Sequence, residues 1–475
     1  MFGLELRRSF SKLVAGYPGG WKKYARGDDA MRWGRTPPFV QPEDPDDRRS
    51  LIPAEGLTEY WYPALPAKDV SRKRPVALKI VGKDFVFFRD RNDEVQALWD
   101  YCPHRGAYLS WGDSFWNGTL TCPYHGATFD GDGECVAFIT EGPDSKMVGR
   151  LKARKYPTVT LKGTVFVWTG EGEPSDPKED IPPEWFEPDT TLILTTWRYW
   201  HCNWMIALEN NGDAHNMWFV HRNSFRQLRS TRGGRDRSPV GYRMQTVNNH
   251  AVDTISPSRD NMGARDKVNY YADDDGKVPY RLYYPGVDGY WPKHQYRRLW
   301  GWIHDGFVSW RRKSRQKRPF QNDLNWEGVT LPGIIRSNHI THMYTRWPVA
   351  VDKDITRVYY AFGTRPSNVW GRIYDRLTFA LYLKWMLFFN FSDQDYDAMR
   401  SCRYQYPEYL SSTDNCVVML RRLITEHGRG VEKPVQVQEQ TTAEKLVYEA
   451  DRLLGQQPDE ELIGTSTSRS AGPGS

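Results

Sequence analysis

Two short segments constrain this 475-residue chain more than anything else in it. Cys102-Pro-His104-Arg-Gly106 is followed, after a spacer, by Cys122-Pro-Tyr-His125-Gly126. Each offers one sulfur and one imidazole, and each places Pro after its Cys and Gly after its His. A zinc finger is the nearest alternative, but there both cysteines usually precede both histidines. The order Cys, His, Cys, His suits a different arrangement, with two thiolates on one metal and two imidazoles on another.

That donor set is the one a Rieske [2Fe–2S] centre takes. Neutral histidine in place of anionic cysteine eases electron addition, and such centres lie at ~−150 to +300 mV. Respiratory Rieske proteins carry an extra cysteine in each loop and bridge them. Here those places hold Ala107 and Tyr124, so the loops resemble the oxygenase and ferredoxin type.

The length exceeds one compact domain. A formal charge of +6 gives weak grounds for nucleic-acid binding, and none is expected. The basic runs Arg226–Arg237 and Arg311–Arg318 read as solvated loops, or as a surface that steers an acidic redox partner. Cys135, Cys202, Cys402 and Cys416 share no spacing and read as buried free thiols, the usage of a reducing cytosol. A cytoplasmic protein is expected, since the start lacks the apolar core of a secretory signal. The apolar stretch Leu377–Phe391 is broken by Lys384 and is shorter than a span, which needs about 20 residues. It reads as a buried helix rather than an integral membrane span, with contact to a membrane surface or a greasy substrate as the alternative.

In chain order, residues 1–56 form an N-terminal helix and arm packing on the catalytic domain. Residues 57–172 carry short β patterns with both ligand loops at strand ends, an all-β Rieske domain. Gly170–Pro177 is a linker by composition. Residues 173–455 alternate strand and helix patterns, and 456–475 form a disordered tail. The expected fold is α+β: an all-β domain, then a catalytic domain with an antiparallel β-sheet covered by helices.

A second metal site is suggested downstream. His215 and His221 lie close together in an acidic, aromatic stretch, and Asp393, Asp395 or Asp397 could supply an oxygen. Two histidines and a carboxylate on one face of Fe(II) leave positions open for O₂. In a regular helix these histidines point ~120° apart, so a break or π-bulge is required. His250, His294, His304, His339 and His342 are further candidates.

With these residues in view, the chain resembles the Rieske non-haem iron oxygenases, specifically their large terminal oxygenase component. The likeness runs over roughly 57–435. It is carried by Tyr60-Trp-Tyr-Pro-Ala-Leu65, both ligand loops, Glu209-Asn210…Asp213, Leu331-Pro-Gly-Ile-Ile335, Trp347–Asp352 and Thr413–His427. The resemblance implies a mononuclear iron on His215, His221 and Asp395, the last favoured because Gln394 precedes it and Ala398 follows. Asp213 takes the place of the aspartate that links an iron-site histidine to a Rieske histidine of the neighbouring subunit in a homotrimer. One departure is visible. The family pattern is Asp-x-x-His, whereas here it is Asp-x-His, with Asn216 in the expected place.

No dinucleotide fingerprint or P-loop follows a strand, so electrons are expected from a separate NAD(P)H reductase, with or without a ferredoxin. The resemblance implies O₂-dependent mono- or dioxygenation of an apolar aromatic or heteroaromatic substrate, with Trp218, Phe219, Phe225, Ile334 and Ile335 as pocket candidates. The shifted His215 leaves a second reading: an electron-transfer or scaffold protein with an inactive mononuclear site.

Overall fold

The structure is a computed structural model that describes residues 40–44, 46–212, 220, 243–255, 328–339, 342–402, 408–411 and 414–431. His215, His221 and Asp213 lie outside the described residues, as do both basic runs, His294 and His304.

Ten short strands build the first module. They are β1 (Trp61–Pro66), β2 (Val76–Ile80), β3 (Lys83–Arg89), β4 (Val95–Trp99), β5 (Leu120–Thr121), β6 (Ala127–Phe129), β7 (Cys135–Phe138), β8 (Lys155–Tyr156), β9 (Thr158–Leu161) and β10 (Thr164–Trp168). They pair as three antiparallel sheets: β1-β10-β9, β2-β3-β4-β8 and β5-β6-β7. The Val81-Gly82 turn joins β2 to β3 with both residues at positive φ, which glycine tolerates and valine rarely adopts. Val86, Phe88, Leu98, Leu109, Leu120, Phe129 and Phe138 form a separate apolar cluster under the two ligand loops. Burial of such side chains gives the loops a rigid floor, at ~1.5–3 kcal/mol per large residue.

Among the described residues, the second module is a seven-stranded antiparallel sheet. Its strands are β11 (Thr191–Trp200), β12 (Arg243–Asn248), β13 (Ala251–Ile255), β14 (Gly328–Thr330), β15 (Ile334–His339), β16 (His342–Ala350) and β17 (Thr356–Thr364). The order is β11-β17-β16-β15-β14-β13-β12. Four longer helices accompany it: α1 (Trp204–Gly212), α2 (Val369–Thr378), α3 (Asp393–Met399) and α4 (Asn415–His427). The chain stays helical between α2 and α3 through two π-helical stretches, Phe379–Leu383 and Trp385–Ser392. The apolar segment expected as a buried helix is therefore part of one long helical element. Its buried side chains, Phe379, Tyr382, Trp385 and Phe388, pack on Trp200, Val358, Tyr360 and Phe362 of β11 and β17.

The two modules share a core. Tyr62 and Phe166 of the first sit 6.0 and 6.3 Å from the Trp347 ring of the second. The Val81 amide donates to the Ala350 carbonyl at 2.8 Å, and Thr164 and Tyr359 hydroxyls hydrogen-bond at 3.0 Å. Arg357, fully buried in β17, donates to the Ala64 carbonyl of β1 and stacks on Trp197. Residues 47–54 lie on the second module: the Trp204 indole donates to Pro53 O at 2.9 Å and Asn203 to Ala54 O at 2.9 Å. Of the four cysteines read as buried, Cys402 is exposed, one residue past the turn that ends α3.

Candidate functional site

The first ligand loop leaves β4 and the second joins β5 to β6. They close in the same way. The Cys102 amide donates to Ala107 O at 2.8 Å and Gly106 N to Cys102 O at 2.8 Å. In the second loop, Cys122 N donates to Ala127 O at 2.7 Å and Gly126 N to Cys122 O at 3.1 Å. Each turn reverses through a glycine at positive φ, 75° at Gly106 and 71° at Gly126, which explains the glycine after each histidine.

This folding brings the four donors together. Both cysteines are buried, and both histidines are half-buried at the tip. The imidazoles face each other edge-on, with centroids 4.7 Å apart at 76°. The Phe138 ring meets His104 edge-on at 5.2 Å, and Tyr124 covers His125 at 3.8 Å. The Thr140 hydroxyl donates to the His125 carbonyl at 3.0 Å.

The electrostatics treat the two sulfurs differently. The Cys102 thiol hydrogen-bonds to the Cys122 sulfur, which lowers Cys122 to about 6 and raises Cys102. Backbone amides of His104 and Arg105 donate to the Cys102 sulfur, and those of Tyr124 and His125 to the Cys122 sulfur. Such donors favour the anionic sulfur that a metal requires. Desolvation, then the neighbouring His104 and Arg105, hold His125 below its ordinary value, so it stays a neutral ligand. Two sulfurs within hydrogen-bond reach and two imidazoles opposite one another fit a [2Fe–2S] cluster. Among the described residues, no three or more His, Cys, Asp or Glu converge as a site for a single ion. A cluster whose two irons take two protein ligands each requires no such convergence.

Of the residues expected at a second metal site, only the carboxylates lie among the described residues. Asp393 and Asp395 lie in the first turn of α3, both buried. Arg198 of β11 pairs with Asp393 and stacks on Phe388 at 4.5 Å. Burial raises the Asp393 carboxyl to about 6, with Arg198 opposing. Arg346 of β16 reaches Asp395 Oδ2 at 3.5 Å and donates to the Ala207 carbonyl of α1 at 3.1 Å, with its guanidinium 4.4 Å over Trp200. Arg346 thus ties the Asp395 carboxylate to α1, the helix that ends at Gly212. That helix is held from the far side by Arg421 of α4, which grips Glu209 at 2.7 and 3.1 Å and Glu408 at 2.5 and 3.1 Å.

Sequence reasoning missed the three arginines. A signal existed: Arg198 and Arg346 interrupt strongly aromatic strand segments, Trp-Arg-Tyr-Trp and Thr-Arg-Trp-Pro, where a buried cation requires a buried anion. His342 is half-buried and stacks on Phe362 at 4.6 Å. Ile334 and Ile335 are buried in the main core with Leu208 and Val329. Trp218, Phe219 and Phe225 lie outside the described residues.

A β-rich module with paired Cys/His loops of iron–sulfur type is thus joined to a larger antiparallel sheet flanked by a helix that buries a carboxylate pair. Comparison with known proteins makes the class specific. The Rieske [2Fe–2S] domain family matches residues 60–157, and the homotrimeric ring hydroxylase family matches residues 168–432. The chain belongs to the homotrimeric ring hydroxylases and carries the Rieske domain of that class. It is 25% identical over 393 residues to the terminal oxygenase component of carbazole 1,9a-dioxygenase from Metapseudomonas resinovorans, covering 80% of this chain and 94% of that protein. The fold is similar to the terminal oxygenase of carbazole 1,9a-dioxygenase from Nocardioides aromaticivorans IC177, with a TM-score of 0.58 and 22% identity over 80% of this chain and 97% of that one. It is also similar to the oxygenase in a reduced complex with ferredoxin of carbazole 1,9a-dioxygenase, with a TM-score of 0.57 and 21% identity over 80% of this chain and 92% of that one. The α+β fold and the oxidoreductase class expected from the sequence are thereby borne out. So is the oxygenase reading, over that of an inactive scaffold.

Proposed function

We propose that this chain is the terminal oxygenase of a multicomponent system that hydroxylates an apolar aromatic or heteroaromatic compound, by mono- or dioxygenation, in hydrocarbon catabolism. The pairing of the two loops carries the reading. Four donors of the Rieske type meet on one tip, and residues 168–432 match the homotrimeric ring hydroxylases. The four ligands are Cys102, His104, Cys122 and His125. The mononuclear iron is assigned to His215, His221 and Asp395. Bound there, the two iron centres supply one-electron transfer and the reduction of O₂.

The chain's own groups hold these centres in place. Amide donors reach both sulfurs, which favours the anionic form a metal takes, and the apolar cluster beneath the loops gives them a buried floor. Asp393 forms a close ion pair with Arg198, and Arg346 reaches Asp395 at 3.5 Å. Asp395 is favoured over Asp393 as the ligand by its sequence setting, with Gln394 before it and Ala398 three places on. We assign Asp213 the bridge to a neighbouring subunit's Rieske histidine. Exposed aromatics support a neighbour there: Tyr124 lies against His125, and Tyr108 and Trp111, the latter 76% exposed, follow the first loop. Electrons come from a separate reductase or ferredoxin, as in the related oxygenase–ferredoxin complex. Free cysteines support a cytoplasmic setting.

Iron analysis tests the assignment. The purified protein should hold about three irons per chain, and Asp395→Ala about two with Rieske absorption intact. An unchanged count in Asp395→Ala removes this residue from the site. With a matched reductase, a panel of polycyclic and heterocyclic aromatics should yield oxygenated product. No product from any member sinks the substrate class.

A further inference from the structure

The outer face of the long helical element is absorbed by neither iron site. Asn368 caps α2, accepting from Gly371 N at 2.8 Å. From there to Leu381 the exposed side chains are Val369, Trp370, Arg372, Ile373, Arg376, Leu377, Ala380 and Leu381, every one apolar or arginine. Asp375, the one acid of this stretch, is buried. At ~100° per residue the apolar positions fill an arc of about 120°, and both arginines lie along one edge of it. From Val369 to Leu381 the stripe is about 18 Å long.

Single exposed apolar residues are ordinary, but a continuous helical stripe with Trp370 78% and Leu377 53% exposed is not. A helix that faces water shows mixed charge on its outer side. A helix that lies in a lipid interface shows large apolar side chains flanked by cations. Self-pairing of this face about a two-fold axis brings arginine edges together, which like-charge repulsion opposes. Among the described residues no helix is long and apolar enough to cross a membrane.

We propose that this face docks the protein peripherally on an anionic phospholipid bilayer. Trp370, Ile373, Leu377 and Leu381 enter the acyl boundary, and Arg372 and Arg376 meet the headgroups. Charge complementarity selects the surface, because the exposed face offers cations and no acid. The same helix runs on without a break to Asp393 and Asp395. An apolar compound dissolved in the bilayer is thus met at one end of the element that bears the buried carboxylates at the other. Docking itself is independent of the oxygenase assignment. Supply of substrate rests on that assignment.

Sedimentation of the full-length, cluster-loaded protein with vesicles tests this. The probes are vesicles of phosphatidylcholine alone and of phosphatidylcholine with phosphatidylglycerol in equal parts. The protein should pellet with the anionic vesicles and stay in solution with the neutral ones. Arg372→Gln and Arg376→Gln should each weaken binding about fivefold. Ile373→Glu with Leu377→Glu should abolish it, with Rieske absorption and oligomeric mass unchanged. Failure to bind anionic vesicles overturns the proposal, as does binding that the glutamates leave intact. A changed oligomeric mass in the glutamate variant makes the face a subunit contact instead. Lost ferredoxin-dependent turnover without vesicle binding makes it a protein-docking face. Vesicle binding is read without turnover, so its failure leaves the oxygenase assignment untouched.

Discussion

Gly106 and Gly126 stand at equivalent places in the two ligand loops, at φ of 75° and 71°, yet the structure assigns them different tolerances. Alanine at either must adopt a left-handed conformation, at ~1–2 kcal/mol. At Gly106 an added Cβ meets nothing within 4 Å. At Gly126 it comes 2.7 Å from Ile139 Cβ and 3.1 Å from Cγ1. The nearest atom is a branch carbon fixed to the backbone, so no rotamer change relieves the contact and the loop itself must move. Overpacking of this kind adds ~1–3 kcal/mol. Gly106→Ala should therefore cost ~1–2 kcal/mol, and Gly126→Ala the sum, ~2–5 kcal/mol. The shift of Gly126 also displaces His125 and the amides that donate to the Cys122 sulfur. Guanidinium titration gives the stability difference, and visible Rieske absorption per chain gives cluster retention. Gly106→Ala should retain the cluster and Gly126→Ala should lose much of it. Ile139→Ala should rescue Gly126→Ala only in part, since it keeps the offending Cβ. Equal costs at the two glycines, or full cluster content in Gly126→Ala, would refute the reasoning.

Other expectations concern the buried charges. Arg198→Leu leaves Asp393 buried without its cation and should destabilise by ~3–5 kcal/mol in a denaturant titration, most of it recovered by adding Asp393→Asn. Asp180 is fully buried between the Trp61 amide, Ser175 and Arg429, and burial raises its carboxyl from 3.8 to about 6. The folded state therefore keeps a proton that the unfolded chain has lost, and stability falls as pH rises from 3.8 to about 6. About two pKa units make this ~3 kcal/mol across the window. Asp180→Asn should flatten the pH dependence there, measured as denaturation midpoints, and an unchanged slope would discount Asp180.

The cluster loops were legible because they are local. Each sulfur–imidazole pair lies within four residues, and each turn requires the glycine that the sequence shows. The β-rich module and the sheet that follows were readable from short alternating patterns. The long helical element was read as a buried apolar helix from composition. Its inner face is buried, but its first half presents an apolar face outward. Composition cannot reveal that, because an apolar residue satisfies either side until a neighbour covers one. Cys402 is a smaller case of the same kind, exposed although nothing near it in sequence says so.

By itself, the sequence determined the donor types, their pairing in two loops and the succession of a β module and a sheet-and-helix module. Tertiary structure alone decided which charges are buried together. Arg198 meets Asp393 across 195 positions, and Arg346 meets Asp395 across 49. Such pairs form because strands β11 and β16 lay those arginines under α3, where an uncompensated charge costs several kcal/mol. Chelation by a tight loop is a short-range constraint that residue order expresses directly. Charge compensation in a core is long-range, and it exists only once the chain has folded.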